Sequence, residues 1–316
     1  MKLLNALSVA ALTLLPLYSQ IPSAHRSFQN VQGYQQILVL GSDGHLSLEQ
    51  APFGNVPPSR SEIDVNVRNF QALDNQTVLV LDGDGHLWLE QAAFGNVPPS
   101  RIAIDVNVRA FQALDSQTVL VLGSDGNLWL EEAGFADVAS CRSRVDAGVR
   151  GFQALDRRTV VVLRSDGNLW LEQAPFGEGP PRRRVIDANV RGFQALDRRT
   201  VLVLGIDGNL SLEQAPFGIL PPSRLQVDAN VRAFQAVNAN HIFVLGNDRK
   251  LWFEHGPLGS IPQSRQQVDA DVQAFQATDT QNALVLGTDG KLWLERAPFG
   301  NVPSSRQQVD ANVALR

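Results

Sequence analysis

The sequence predicts an all-β fold, a seven-bladed β-propeller with four antiparallel strands per blade on a 41-residue repeat. Three observations carry that reading. The phrase Leu122-Gly-Ser-Asp-Gly-Asn-Leu-Trp-Leu-Glu131, a strand, a tight turn and a second strand, occurs seven times in lightly edited form. Its turn aspartate stands at Asp43, Asp84, Asp125, Asp166, Asp207, Asp248 and Asp289, and no insertion or deletion breaks the 41-residue step. Each copy holds four strand-like runs divided by turn residues, and no segment keeps a helical period. A single four-stranded unit has two faces to bury and therefore needs a neighbour on each side. Closure into a ring supplies both, and seven units fall in the usual range of about four to eight blades.

Taken in order, residues 1–24 stand apart from the repeats. Lys2 precedes the apolar run Leu3–Leu17, and a short polar segment with small residues leads to Ala24. That pattern predicts a secretory signal peptide, cleaved between Ser19 and Ala24, with a buried N-terminal helix as the competing reading. The run is short of the ~20 residues a membrane span needs. The expected mature protein is thus a secreted single domain of residues 25–316, nearly all of it repeat.

One blade is written out by the third copy. Val108–Leu114 is its first run, and Thr118–Leu122, apolar and β-branched, suits a strand covered on both faces. Ser124-Asp-Gly126 is a hairpin signal, because glycine accepts the positive φ such turns require. Asn127–Glu132 and Arg142–Asp146 complete the four. Between the last two runs lies a loop, Ala51-Pro-Phe-Gly-Asn-Val-Pro-Pro-Ser59 in the first copy, whose prolines cannot enter a central ladder. The first copy opens at Ser27–Asn30 with one extra residue before Ile37–Leu40, and the last ends at Val309–Val313. Together these supply the strands needed to close the ring, whether or not one is exchanged across the seam.

Composition narrows the function. A formal charge of −5 and a pI near 5.6, with charges interspersed, argue against nucleic acid or an anionic membrane as partner. The single cysteine, Cys141, forbids an intrachain disulfide and reads as a substituted serine-like position. The five histidines are scattered, and no zinc-protease motif, nucleophile elbow or phosphate loop occurs. Near-interchangeable copies leave little room for one asymmetric catalytic set, so no enzyme and no cofactor is expected. Asp82-Gly-Asp-Gly85 has the look of a calcium loop but lacks the later ligands, and is read as a turn without metal.

Three charged positions recur in all seven copies beside the turn aspartate: Glu49, Arg60, Asp64 and their equivalents. Arg60 and Asp64 lie four residues apart on one strand, about 13 Å, so each should find its partner on another strand, another blade or a ligand. Glu49 and Arg60 flank the proline loop and are placed to meet across two strands. The tryptophan position varies: Trp88, Trp129, Trp170, Trp252 and Trp293 occupy it, whereas the first and fifth copies carry Ser47 and Ser211. Truncating a fully buried Trp costs about 3–5 kcal/mol, so this position is either packed with compensation or partly open in a groove. An open aromatic beside polar groups is how a sugar is held, the ring against its C–H face and the polar groups on its hydroxyls. Trp88, Trp129, Trp170, Trp252 and Trp293, with Arg60, Arg101, Arg224, Arg265 and Arg306, are therefore the candidate ligand-binding residues. Structural packing and ion pairing are the alternative.

The Leu-Gly-Ser-Asp-Gly-Asn-Leu-Trp phrase resembles the blades of the tectonin and tachylectin-type propeller proteins, over about residues 27–316. The resemblance implies a lectin-like role, since many such proteins bind carbohydrates multivalently on cell surfaces. The Arg…Val-Asp-Ala-Asn-Val and Ala-Pro-Phe-Gly-x-x-Pro-Pro segments depart from it, and no binding residue is carried over. The expected function is non-enzymatic carbohydrate binding at several similar sites, with glycans as partners. The alternative is a protein-binding scaffold using the drifted stretches Phe135–Arg144 or Asn247–Gly256.

Overall fold

Strand 2 of each blade sets the architecture, because it buries both faces. In Thr118–Gly123 every residue is buried, with Val119 and Val121 facing one neighbour and Leu120 and Leu122 the other. The structure is a computed structural model, and it describes residues 28–30, 36–41, 43–50, 59–74, 77–91, 100–115, 117–132, 142–177, 182–218, 223–258, 264–300 and 305–311. The expected signal peptide, Cys141 and the first proline loop lie outside those residues.

Among the described residues there are twenty-eight strands in seven four-stranded antiparallel sheets, each made of four consecutive strands. The molecule is a seven-bladed propeller. Its core is not inside the blades but between them, in seven apolar clusters. Leu79, Leu81 and Leu87 of the second blade pack on Phe111, Val119 and Val121 of the third. The ring closes where Val39 of the first blade packs with Leu284, Leu292 and Val309 of the seventh. The first sheet runs from Phe28 to Asp64 and the seventh from Val272 to Ala311, so among the described residues no strand crosses the seam. No helix of the described residues is long and apolar enough to span a membrane.

In the second, third, fourth and sixth blades the first strand touches its counterpart in the next, so the first strands lie innermost, around the axis. A glutamine on it clasps the neighbour. Gln71 Oε1 accepts the N–H of Ala113 at 3.0 Å, and Gln71 Nε2 donates to Ala113 O at 3.3 Å. Gln112 repeats this on Ala154 and Gln194 on Ala236.

One face of the ring carries the Asp-Gly turns. The turns of the first six blades bind the crossing into the following blade: Val108 donates to Gly85 O at 2.8 Å, and Val149 to Gly126 O at 2.9 Å. The crossings pass through left-handed residues such as Asn66 (φ 59°) and Asn107 (φ 58°), where asparagine is tolerated. A β-bulge sits beside the tryptophan position of every blade. In the second, Leu87 opposes Asp105 but Trp88 opposes Ala103, leaving Ile104 as the extra residue.

Candidate functional site

The recurring charges meet between blades. Arg101, on the fourth strand of the second blade, donates through Nε to Glu90 Oε1 on its own third strand at 2.8 Å. Its Nη2 reaches Asp64 Oδ2, at the end of the first blade, at 2.5 Å. Arg142 bridges Glu131 and Asp105, Arg183 bridges Glu172 and Asp146, Arg224 bridges Glu213 and Asp187, and Arg265 bridges Glu254 and Asp228. Arg306 lies 3.7 Å from Asp269. The side chain of Arg60 lies outside the described residues.

Each triad sets one cation against two carboxylates in a buried setting, which pushes the glutamate toward its neutral form. Burial, then the charge of Asp64, raises the Glu90 carboxyl to about 8 against the pull of Arg101. Burial and Asp105 raise Glu131 to about 8. Burial with Asp146 takes Glu172 to about 7, and burial with Asp228 takes Glu254 to about 7.

The five tryptophans are half-buried, and each lies under the recurring arginine of its own blade. The guanidinium carbon stands 4.9 Å from the ring centre at Arg101–Trp88, 4.5 Å at Arg142–Trp129 and 5.7 Å at Arg183–Trp170. It stands 4.4 Å away at Arg265–Trp252 and 4.3 Å at Arg306–Trp293. Of the candidate arginines, Arg101, Arg265 and Arg306 are thus each brought onto a candidate tryptophan, whereas Trp129 and Trp170 lie under Arg142 and Arg183, which were not candidates; one face of each indole is taken by a cation. In the fifth blade Ser211 removes the ring, and Arg224 is 47% exposed against 33% for Arg101.

The first blade differs. Where its siblings place tryptophan it has buried Ser47, and a cleft of about 350 Å³ opens there, lined by Asp43, His45, Ser47 and Glu62. Glu62 lies opposite Ser47 in the ladder, where the other blades carry Ala103, Arg144, Val185, Gln226, Gln267 and Gln308. His45 Nδ1 stands 2.5 Å from Glu62 Oε2, and no hydrogen bond joins Ser47 to either. The cleft thus offers two carboxylates, an imidazole and a hydroxyl, all suited to accepting or donating to a polyhydroxyl ligand. Sequence reasoning missed it. The signal was present, since Glu62 and His45 differ from most of their counterparts in the copy that lacks the tryptophan.

Asp82, Asp84 and His86 of the second blade bring ligand-type atoms within 4.8 Å of one another. The Asp82 carboxylate already accepts the backbone N–H groups of Asp84 (3.0 Å) and His86 (2.8 Å) and the Trp88 indole N–H (2.9 Å). Burial opposes its ionisation, yet the bonds from Trp88 and His86 outweigh that and hold the carboxyl below its ordinary range. Its lone pairs serve the turn.

No protein-family model matches the chain, and no curated protein matches it. Solved structures share its fold. The tricorn protease superposes with a TM-score of 0.62 at 11% identity, over 91% of this chain and 34% of that one. This chain therefore spans about a third of that protease. YCF48 from Cyanidioschyzon merolae superposes with a TM-score of 0.54 at 11% identity, over 86% of this chain and 99% of that one. At these identities the likeness is one of fold.

Proposed function

We propose that the protein is an exported, non-catalytic carbohydrate-binding propeller whose best-formed site is the first-blade cleft. The observation that carries this is the vacated tryptophan seat: a recess of about 350 Å³, the lower end of small-ligand pockets, lined by Asp43, His45, Ser47 and Glu62. Carboxylates accept from sugar hydroxyls, and the serine and imidazole supply further partners. The half-exposed rims of the five tryptophans add weaker contacts around the ring, which suits multivalent attachment. The resemblance to tectonin and tachylectin-type blades points the same way, as does the apolar leader for export. Within the cleft His45 is engaged by Glu62.

A glycan-array screen tests the reading, run on the protein and on Ser47→Trp, which fills the seat as five sibling blades do. Binding by the wild type that Ser47→Trp abolishes, with melting temperature retained, supports the cleft. Binding that survives Ser47→Trp but falls with each Trp→Ser change moves the sites to the rim. A folded wild type that binds no glycan ends the reading. The observation favouring a protein-binding scaffold instead is apolar exposure on the turn face, with Val65 44%, Val106 53% and Ile206 67% exposed.

A further inference from the structure

One arginine position lies apart from the triads. Arg68, Arg109, Arg150, Arg191 and Arg232 occupy it, with Gln273 in the seventh blade. In each blade this residue is the extra member of a β-bulge on the innermost strand. Val67 opposes Asp82 and Asn69 opposes Leu81, so Arg68 has no opposite number, and the other four repeat the pattern. A bulge re-aims its side chain and leaves the extra residue out of the ladder. Adjacent blades meet through these residues: Arg150 Nη2 donates to Arg191 O at 3.2 Å, and Arg191 Nη2 donates to Arg232 O at 2.9 Å and Val231 O at 3.1 Å. Because the first strands surround the axis, Arg150, Arg191 and Arg232 form an arc at the turn-face end of the ring, and Arg68 and Arg109 hold the same bulge position in the two blades before them.

Three features distinguish the arc from a set of backbone staples. The residue after each arginine is small in four of the five blades (Ala110, Gly151, Gly192 and Ala233), and a Cβ added at Gly192 would meet no atom within 4 Å, so the space beside Arg191 is open. Arg191 Nε is buried with no hydrogen-bond partner. Burial, and after it the positive charges of Arg232 and Arg150, hold the Arg191 guanidinium below its ordinary range. At the crossing position just before this strand the carboxylate among the described blades is Asp271, in the blade that carries Gln273 instead of arginine.

We propose that Arg68, Arg109, Arg150, Arg191 and Arg232 form a binding site for a compact phosphoryl polyanion at the turn-face end of the central channel. Five cations around one axis call for several negative charges on one small body, and the planar guanidinium fork matches pairs of phosphate oxygens. The site is separate from the first-blade cleft and does not depend on it.

The test is calorimetric titration of the full chain with tripolyphosphate, inorganic phosphate and a nucleoside triphosphate, without metal ions. It is repeated on Arg150→Gln/Arg191→Gln/Arg232→Gln, glutamine being the residue the seventh blade already carries there. A control variant, Arg157→Gln/Arg198→Gln, removes two exposed arginines elsewhere. The expected result is tripolyphosphate binding at least about tenfold tighter than inorganic phosphate, weakened about a hundredfold in the triple variant and unchanged in the control. A nucleoside triphosphate that equals tripolyphosphate assigns the site to the phosphate chain itself. One that binds more tightly places a phosphorylated metabolite there. If the triple variant unfolds, Arg191→Gln alone is titrated. The proposal is overturned if tripolyphosphate gives no heat with the wild type, or binds the wild type and the arginine variant equally.

Discussion

Arg101 and Asp64, thirty-seven residues apart, close a 2.5 Å ion pair from the second blade to the first, and the same arginine holds Glu90 of its own blade. Removing the cation leaves two largely buried carboxylates facing each other. Breaking a fully buried pair costs about 3–5 kcal/mol; because Arg101 is one-third exposed, Arg101→Ala should cost about 2–3 kcal/mol at pH 8. Urea denaturation at pH 5 should show a smaller loss, since Glu90 then carries a proton. An equal loss at both pH values would show that Glu90 does not titrate in this range.

Stability should fall as pH rises from 5 to 9. The carboxyls of Glu90 and Glu131, raised to about 8, and of Glu172 and Glu254, raised to about 7, bind protons more tightly in the folded chain than unfolded. Their stabilising contribution is complete below the ordinary value of 4.5 and is lost as pH climbs through 7–8. Asp125, Asp166 and Asp207, held low chiefly by the backbone bonds from Asn127, Asn168 and Asn209, act oppositely, and their contribution is lost as pH drops below about 3.8. Melting temperature against pH should therefore peak in the mildly acid range, and Glu131→Gln, neutral at every pH, should flatten its alkaline side.

Gln112 joins two blades through both ends of its amide, accepting from Ala154 N at 2.9 Å and donating to Ala154 O at 3.3 Å. Gln112→Leu keeps the bulk but strands a buried donor and a buried acceptor, at roughly 1–3 kcal/mol each. The expected loss is about 2–4 kcal/mol of unfolding free energy by denaturant titration, against almost nothing for the exposed Gln214→Leu.

Trp129→Ser reproduces what the first and fifth blades already carry. The ring is half-buried under Arg142, so the loss should be about 1–2 kcal/mol, well short of the ~3–5 kcal/mol of a fully buried Trp. A thermal melt checks this, and a drop of the full size would place the ring in the core instead.

The blade was legible in the sequence by itself because its causes are local. Strand alternation, the tight turns at Asp43 through Asp289, six of them Asp-Gly, and an uninterrupted 41-residue step depend on residues within a few positions of one another. That the units need neighbours followed from their two apolar faces. What those neighbours touch did not follow, because the partners stand 37 or 42 residues apart and meet only through the rotation from one blade to the next. The sequence placed Arg101 to meet Glu90 across two strands and left its second partner open between a strand, a blade and a ligand; packing chooses Asp64 and lays the guanidinium across the indole. The inner arginines needed a further step. Their exclusion from the ladder arises from bulges whose register no side-chain pattern records, and their gathering around one axis exists only once the ring has closed. The first-blade cleft belongs to the same class: Ser47 announces a missing tryptophan, but the space it leaves is defined by the strand opposite, which carries Glu62.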